Sequence, residues 1–380
     1  MIALLLSCAI PINAINETKN EAESNNAFDE MNAKSAILME AQSGEVLYSR
    51  NPDSALPPAS VTKIMTLLLC AEALADGKIA LSDTVMISKK ASEMGGSQVF
   101  LEEGEIISVE ELLKCTVIAS ANDAALALAE LVSGSERAFV NDMNARAIEL
   151  GLKSTNFENV TGLDDTVKNH VTSAMDIALM SRELIKHDVI LKYSSLWQDS
   201  IRNGEFVLTN TNRLVRYYEG CNGLKTGSTD KAGFCMSATA VRNGMQLIAV
   251  VMGAPSRDER NGIAKELLDY GFANYGVWSQ DEAIVETVPV ERGTEDGATL
   301  YSAPFSCVIS SSDKGKIEKK YVLPEVFRAP IKAGEELGCV EYYLEGNIIG
   351  KSAVYSKADI EKIGYFDLYL RMLKKMFGKC

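Results

Sequence analysis

A chain of 380 residues, 47% hydrophobic and 24% charged, has ordinary globular composition and enough length for two or three domains with a sizeable core. Its 52 acidic against 38 basic residues give a formal charge of -14, which repels polyphosphate backbones and excludes nucleic acid as a partner. Only two histidines exist, His170 and His187, so chemistry that needs a histidine cluster or a multi-histidine metal site has almost no material, and neither metal nor cofactor is expected.

Met1 to Ala14, MIALLLSCAIPINA, has the length of an apolar signal region ending in small and polar residues, and reads as an export signal. Leu5-Leu6-Ser7-Cys8 also resembles a lipoprotein cleavage box. Through residue 32 the chain is rich in Asn and Glu and reads as a flexible leader. No later run reaches the ~18 consecutive apolar residues of a membrane span, since Ile64 to Ala75 is interrupted by Glu72. The eight cysteines show no C-x-x-C pair and no zinc spacing. Cys70 and Cys115 fall inside apolar helical patterns, where cysteine acts as a small hydrophobe. Cys221 and Cys235 flank a motif discussed below and would be able to pair in an exported chain.

The folded part begins near Ala33. Ala36 to Glu40 and Gly44 to Arg50 read as two strands around a polar turn. From Ser60 the pattern turns helical, with Ile64, Leu67, Leu68, Ala71 and Leu74 on one face and Pro57-Pro58 fixing the start. Ser108-Val-Glu-Glu111 is a capping box that announces a second helix, and a third follows Asp123. Helical periodicity returns from Ser173 to Ile185. Two strands, Gly233 to Val241 and Met245 to Gly253, flank Arg242-Asn243-Gly244, whose Asn-Gly pair signals a hairpin. A helix from about Asn261 to Tyr275 closes the segment. Strands, a helical block, then strands and a helix predict an α+β domain over residues 33–280.

Residues 281–356 change texture. Ile284 to Val290, Thr299 to Ile309 and Cys339 to Tyr355 read as short strands, with Gly346-Asn347 a hairpin candidate, predicting a small all-β domain without chemistry of its own. In residues 357–380, Phe366, Tyr369, Leu370, Leu373, Met376 and Phe377 share one helical face. Arg371, Lys374, Lys375 and Lys379 supply the other. An amphipathic cationic helix of this kind reads as a monotopic membrane anchor; a helix docked on the body is the alternative.

Three short motifs stand in order: Ser60-Val-Thr-Lys63, Ser120-Ala-Asn122 and Lys225-Thr-Gly227. S-x-x-K alone arises by chance in many chains, commonly as a capping serine with a surface lysine. Ser60 begins a helix, where free N–H groups favour developing negative charge, and Lys63 lies on the same face. With histidine scarce, the lysine amine is the available base for the serine hydroxyl. Bringing its pKa from ~10.4 to about 7 requires roughly 4 to 5 kcal/mol of destabilisation of the ammonium form, which burial and a second cation, Lys225, would supply. Ser120 and Asn122 occupy the connection between two apolar helices, where side chains project from a rigid scaffold. Lys225-Thr-Gly227 precedes a strand-like segment, and its glycine permits close approach of a substrate backbone.

Together the three motifs form the set shared by β-lactamases and penicillin-binding proteins. The wider strings sharpen this: Pro58 to Thr66, Ser120 to Ala124, Gly162 to Asp164, His170 to Ala174, Asn222 to Cys235 and Leu267 to Phe272. From Ala33 onward the chain resembles the low-molecular-mass penicillin-binding proteins of the D-alanyl-D-alanine carboxypeptidase family. The resemblance implies a β-lactamase/transpeptidase-like catalytic domain, an antiparallel sheet with a helical subdomain, followed by the small all-β domain as a stalk. It implies an exported enzyme on the outer face of the cytoplasmic membrane that removes the terminal D-alanine of peptidoglycan pentapeptide stems, with β-lactams as inhibitors. By the same resemblance Ser60 is the nucleophile, Lys63 the base and Ser120 a proton shuttle. Asn122 holds the substrate amide and Lys63. Lys225 and Thr226, with Arg260, meet the terminal carboxylate, and the oxyanion sits between the N–H groups of Ser60 and of Ser228, after Gly227.

Two departures from the family pattern stand out, Asn222 in place of an acidic residue and Ala121 inside the second motif. Neither removes a catalytic group. A β-lactamase shares the motifs but needs a deacylating glutamate, and the E-x-x-L-N string of class A enzymes is missing where Glu158-Asn-Val-Thr-Gly162 stands. A non-catalytic wall-binding scaffold has no reason to keep Ser60, Lys63, Ser120, Asn122, Lys225 and Thr226 together.

Overall fold

The computed structural model describes Phe28, residues 31–165 and residues 167–376, with backbone alone at 374 and 375. The expected export signal, Cys8, most of the leader, and Phe377 and Lys379 of the tail lie outside the described residues. What is described divides into two compact units, one up to Asn274 and one from Tyr275.

The first unit is built on a five-stranded antiparallel sheet of β1 (Ser35–Glu40), β2 (Val46–Arg50), β3 (Cys221–Thr229), β4 (Gly233–Arg242) and β5 (Met245–Ala254). The strands lie in the order β2-β1-β5-β4-β3. Side chains alternate across a strand, so Ile37, Met39, Ile248 and Val250 join the core shared with the helical block. Leu38 and Leu247 point the other way, onto Gly271. The helices around it include α1 (Lys63–Ala75), α2 (Val109–Lys114), α3 (Asn122–Ser133), α4 (Glu136–Glu149), α5 (Ala174–Leu184) and α6 (Arg257–Asn274), with others, among them Asp188–Ser194, between them. α6 supplies Gly271, and α5 meets the opposite face through a hydrogen bond between Ser181 Oγ and Ser237 Oγ at 2.8 Å.

Local chemistry explains most boundaries. Ser108 Oγ accepts the Glu111 N–H while the Glu111 carboxylate reaches back, the expected capping box. Arg242 pairs with Met245 across Asn243-Gly244, both at positive φ (50° and 77°), as a two-residue hairpin turn requires. α1 departs from its one-faced pattern: Met65, Cys70 and Ala73 are buried along with Ile64, Leu67, Leu68 and Ala71, because the helix runs through the core. α4 carries a weak signal, burying only Phe139, Met143 and Ala147, and has no counterpart in the sequence expectations. Lys225-Thr-Gly227 lies inside β3, an edge strand, rather than ahead of one. Pairing of Cys221 with Cys235 is ruled out by register, since Cys221 faces Ala240 and Cys235 faces Gly227; both thiols are free.

The second unit contains β6 (Tyr275–Gln280), β7 (Ala283–Glu291), β8 (Gly297–Ser302), β9 (Phe305–Ser310), β10 (Glu318–Val322), β11 (Phe327–Arg328), β12 (Glu336–Leu344) and β13 (Asn347–Ser356). Six form a sheet in the order β10-β12-β13-β8-β7-β11, and β6 pairs with β9. Its core includes Val288, Val290, Leu300, Val340, Tyr342 and Val354. The expected strand from Thr299 to Ile309 is two, broken at Ala303-Pro304, where proline cannot donate to a ladder. The second hairpin turns one residue early, at Glu345-Gly346, because Leu344 already pairs with Asn347. α7 (Tyr365–Met376) follows, with Arg371 donating to Asp296 and to the carbonyls of Gly293 and Thr294. Among the described residues no helix is long and apolar enough to cross a membrane.

Candidate active site

The three motifs converge in the first unit. Ser60, half-buried, sits in a 3-10 turn (Ala59–Thr62) whose last residue leads directly into α1, so Lys63 opens the α-helix proper. The turn is forced by its entry. Ala59 is buried at φ 49°, a left-handed conformation costly for a residue with a Cβ. Two glycines make room for it. A Cβ on Gly162 would stand 1.8 Å from the Ala59 carbonyl oxygen, and one on Gly227 would stand 2.5 Å from the Ser60 nitrogen. β3 therefore lies against the Ser60 amide as only a glycine permits.

Lys63 is fully buried, and its Nζ meets three oxygens: Asn122 Oδ1 at 2.6 Å, the Thr161 carbonyl at 2.9 Å and Ser60 Oγ at 3.1 Å. Burial first, and then the charge of Lys225, push its pKa well below the ordinary lysine range, with Asp123 pulling the other way. A neutral amine carries two hydrogens and one lone pair. Asn122 and Thr161 offer only acceptors, so they take the hydrogens, and the lone pair is left for the Ser60 hydroxyl proton.

Ser120 follows a π-helical turn (Cys115–Ala119) and takes the left-handed conformation itself, φ 62°. Such a bulge re-aims the residues that follow it. Ser120 Oγ accepts from Lys225 Nζ at 2.7 Å, and Lys225 also donates to the Thr226 carbonyl at 3.0 Å. Burial and then Arg260 bring the Lys225 pKa to about 7. Asn122, the first residue of α3, is locked by its Nδ2 donating to the Gly95 carbonyl at 2.6 Å. Thr226 is buried and Ser228 exposed on the same strand. Arg260 is buried on α6, donating to Asn261 Oδ1 at 2.8 Å and to the Cys235 carbonyl at 3.4 Å. Arg260 reaches the cluster through its charge, which acts on Lys225, and through Cys235, which stands opposite Gly227 across β3 and β4.

Several supporting residues escaped the sequence reading. Asp123 is buried and accepts the N–H groups of Val99, Leu101 and Ala124, fixing the loop beside Asn122. Asn159 Oδ1 accepts from Thr161 and Gly162, curling the chain so that the Thr161 carbonyl points at Lys63. The Asn159-x-x-Gly162 spacing is a turn signal that would have found it. His170 Nδ1 accepts the Glu158 N–H at 3.0 Å, which leaves Nε2 protonated to donate to Thr62 Oγ1 at 2.7 Å. Burial lowers its pKa to about 4. The Glu158 carboxylate is occupied by the amides of Lys168 and Asn169. Among the described residues no cluster of three His, Cys, Asp or Glu is arranged to hold a metal ion.

The family described as D-alanyl-D-alanine carboxypeptidase, peptidase S11, matches residues 19–256, and the C-terminal domain of penicillin-binding protein 5 matches residues 272–362. The chain is 42% identical over 354 residues to the D-alanyl-D-alanine carboxypeptidase DacF of Bacillus subtilis (strain 168), covering 91% of this chain and 89% of that one. A solved structure of penicillin-binding protein 5 from Haemophilus influenzae aligns with a TM-score of 0.74 at 32% identity, over 87% of this chain and 98% of its own. Penicillin-binding protein D2 from Listeria monocytogenes, solved in its ampicillin-bound form, aligns with a TM-score of 0.59 at 31% identity, over 64% of this chain and 98% of its own.

Proposed function

Because the chain belongs to the D-alanyl-D-alanine carboxypeptidase family of serine peptidases, we propose that Ser60 is its nucleophile and Lys63 the base that activates it. The activity is hydrolysis of the bond between the two terminal D-alanines, in the service of the cell wall. Ser60 Oγ attacks the carbonyl carbon of the penultimate D-alanine as its proton passes to the Lys63 lone pair. The developing oxyanion is held by the N–H groups of Ser60 and Ser228. Ser120, linked to Lys225, relays that proton from Lys63 to the departing nitrogen, so Lys63 is neutral again as free D-alanine leaves. Water then attacks the Ser60 ester, giving up its proton to Lys63, which returns it to Ser60 Oγ as the peptide departs one residue shorter. Asn122 orients Lys63 and the substrate amide. Lys225, Thr226 and Arg260 bind the terminal carboxylate, with Gly227 letting the peptide lie close to β3. A β-lactam would acylate Ser60 by the same attack. We also infer that the enzyme acts outside the cytoplasm, held at the membrane surface by α7.

The observation that carries this reading is the saturation of the Lys63 hydrogens by Asn122 and Thr161, which leaves its lone pair toward Ser60. The test is D-alanine release from a pentapeptide ending in D-Ala-D-Ala. Release by the wild type that vanishes in Ser60→Ala supports both activity and nucleophile. A folded wild type that binds penicillin without releasing D-alanine points to a transpeptidase or sensor, and one that does neither points to a scaffold.

A further inference from the structure

A molecule with a net charge of -14 repels a peptide that ends in a carboxylate unless the approach to its site is locally positive. Lys225 and Arg260 lie buried, so they act late, once the terminus is already inside. Two further arginines stand nearer to solvent. Arg257 is exposed and precedes Arg260 by three positions in α6, a spacing that puts both on one helix face. Arg213 approaches from the side of β3. Its neighbour Asn212 is buried and donates Nδ2 to the Gly223 carbonyl at 2.7 Å, two residues before Lys225, and accepts the Leu214 N–H at 3.0 Å. Exposed Arg213 is thereby fastened next to the Lys225 strand.

Both charges are felt at Arg260, whose pKa is lowered to about 10 by burial, then by Arg257 and more weakly by Arg213, while Cys235 and Asp258 oppose them. Arg260 in turn depresses Lys225, and Lys225 depresses Lys63. Among the described residues neither Arg213 nor Arg257 forms an ion pair with a carboxylate. Unpaired cations clustered beside a buried one raise its energy, and an arriving anion relieves that repulsion.

We propose that Arg213 and Arg257 form an outer, anion-attracting rim to the Arg260 and Lys225 pocket, and that they draw in peptides with a free C-terminal carboxylate. The inference rests on the carboxypeptidase reading. Because the rim touches no reacting atom, it binds substrate and transition state alike, and so acts on KM and not on kcat.

The experiment compares wild type, an R213Q/R257Q double variant and an R213K/R257K double variant on the same pentapeptide, at low salt and at about 1 M salt, where charges farther apart than about 3 Å are screened. The glutamine variant is expected to raise KM about threefold to tenfold at low salt, the size that two partly exposed charges supply. Its kcat should stay at the wild-type value, the gap should close at high salt, and the lysine variant should behave as wild type. A KM ratio unchanged by salt, a fall in kcat, or a lysine variant as impaired as the glutamine one overturns the proposal. A wild type that releases no D-alanine sinks the carboxypeptidase reading separately. The rim is then read from the second-order rate of Ser60 acylation by a penicillin, itself a carboxylate, with the same salt criterion.

Discussion

Lys63 lies between two opposing charges, and each can be removed separately. Lys225 bears its charge below about pH 7 and disfavours the Lys63 ammonium, whereas Asp123 favours it. The base form is the active one, so acylation by a fluorescent penicillin should fall on the acid side as Lys63 takes up its proton. Lys225→Gln raises the Lys63 pKa and should move that acid limb to higher pH; Asp123→Asn lowers it and should move the limb to lower pH. Limbs that coincide in all three proteins would remove Lys63 from the role of base. Gly227→Ala tests the positioning of the nucleophile. Its Cβ would meet backbone atoms at 2.5 and 2.9 Å, neither of which can swing aside. Misplacing Ser60 by about 1 Å should cost on the order of 10²-fold in acylation while the far-ultraviolet circular dichroism stays native. The motif residues were legible because each has a distinctive type at a fixed spacing. Thr161 was not, since it acts through its carbonyl, which every residue possesses. Asp123 was hidden differently, holding backbone amides far from it in sequence.

At the scale of elements, His170 ties the segment after Asn156 to the nucleophile turn through Glu158 on one side and Thr62 on the other. Its folded pKa of about 4 lies below the ordinary 6.5. The unfolded chain therefore binds the proton more readily, and the stability this gives is present above about pH 6.5 and lost as pH falls toward about 4, roughly 3 kcal/mol in all. Urea unfolding should show wild type losing this much more than His170→Gln across that interval. Parallel curves would mean that the histidine is already charged or already solvated in the native state. Elements whose causes are local could be read in advance, such as the Ser108 capping box and the Asn243-Gly244 hairpin. The π-helical turn before Ser120 could not, because its extra residue is accommodated by packing of buried Cys115, Val117 and Ile118 and leaves no local mark. α1 misled for a related reason: a helix buried around most of its circumference loses the contrast between faces that periodicity measures.

At the scale of the whole molecule, the three motifs all fall in the first unit, and the second has its own core of Val288, Leu300, Tyr342 and Val354. α7 is the element of the second unit that a soluble β-domain does not require. Tyr365, Phe366, Tyr369, Met372 and Met376 are exposed, Tyr365 at 96%, while Arg371 is held by Asp296 and two carbonyls. The helix is thus fastened through a basic residue expected on its polar side, and its large apolar side chains stay uncovered in the described structure. That much exposed aromatic and methionine surface suits the acyl boundary of a bilayer better than water. Removing residues 365–380, which keeps Ile360 in the core of the second unit, should abolish sedimentation with anionic lipid vesicles and leave D-alanine release within about twofold of the full chain, since every motif residue remains. High salt should weaken binding of the full chain only in part, because apolar burial persists when the lysines are screened. Vesicle binding that survives the truncation would place the membrane contact elsewhere; loss of activity with it would make α7 part of the catalytic body.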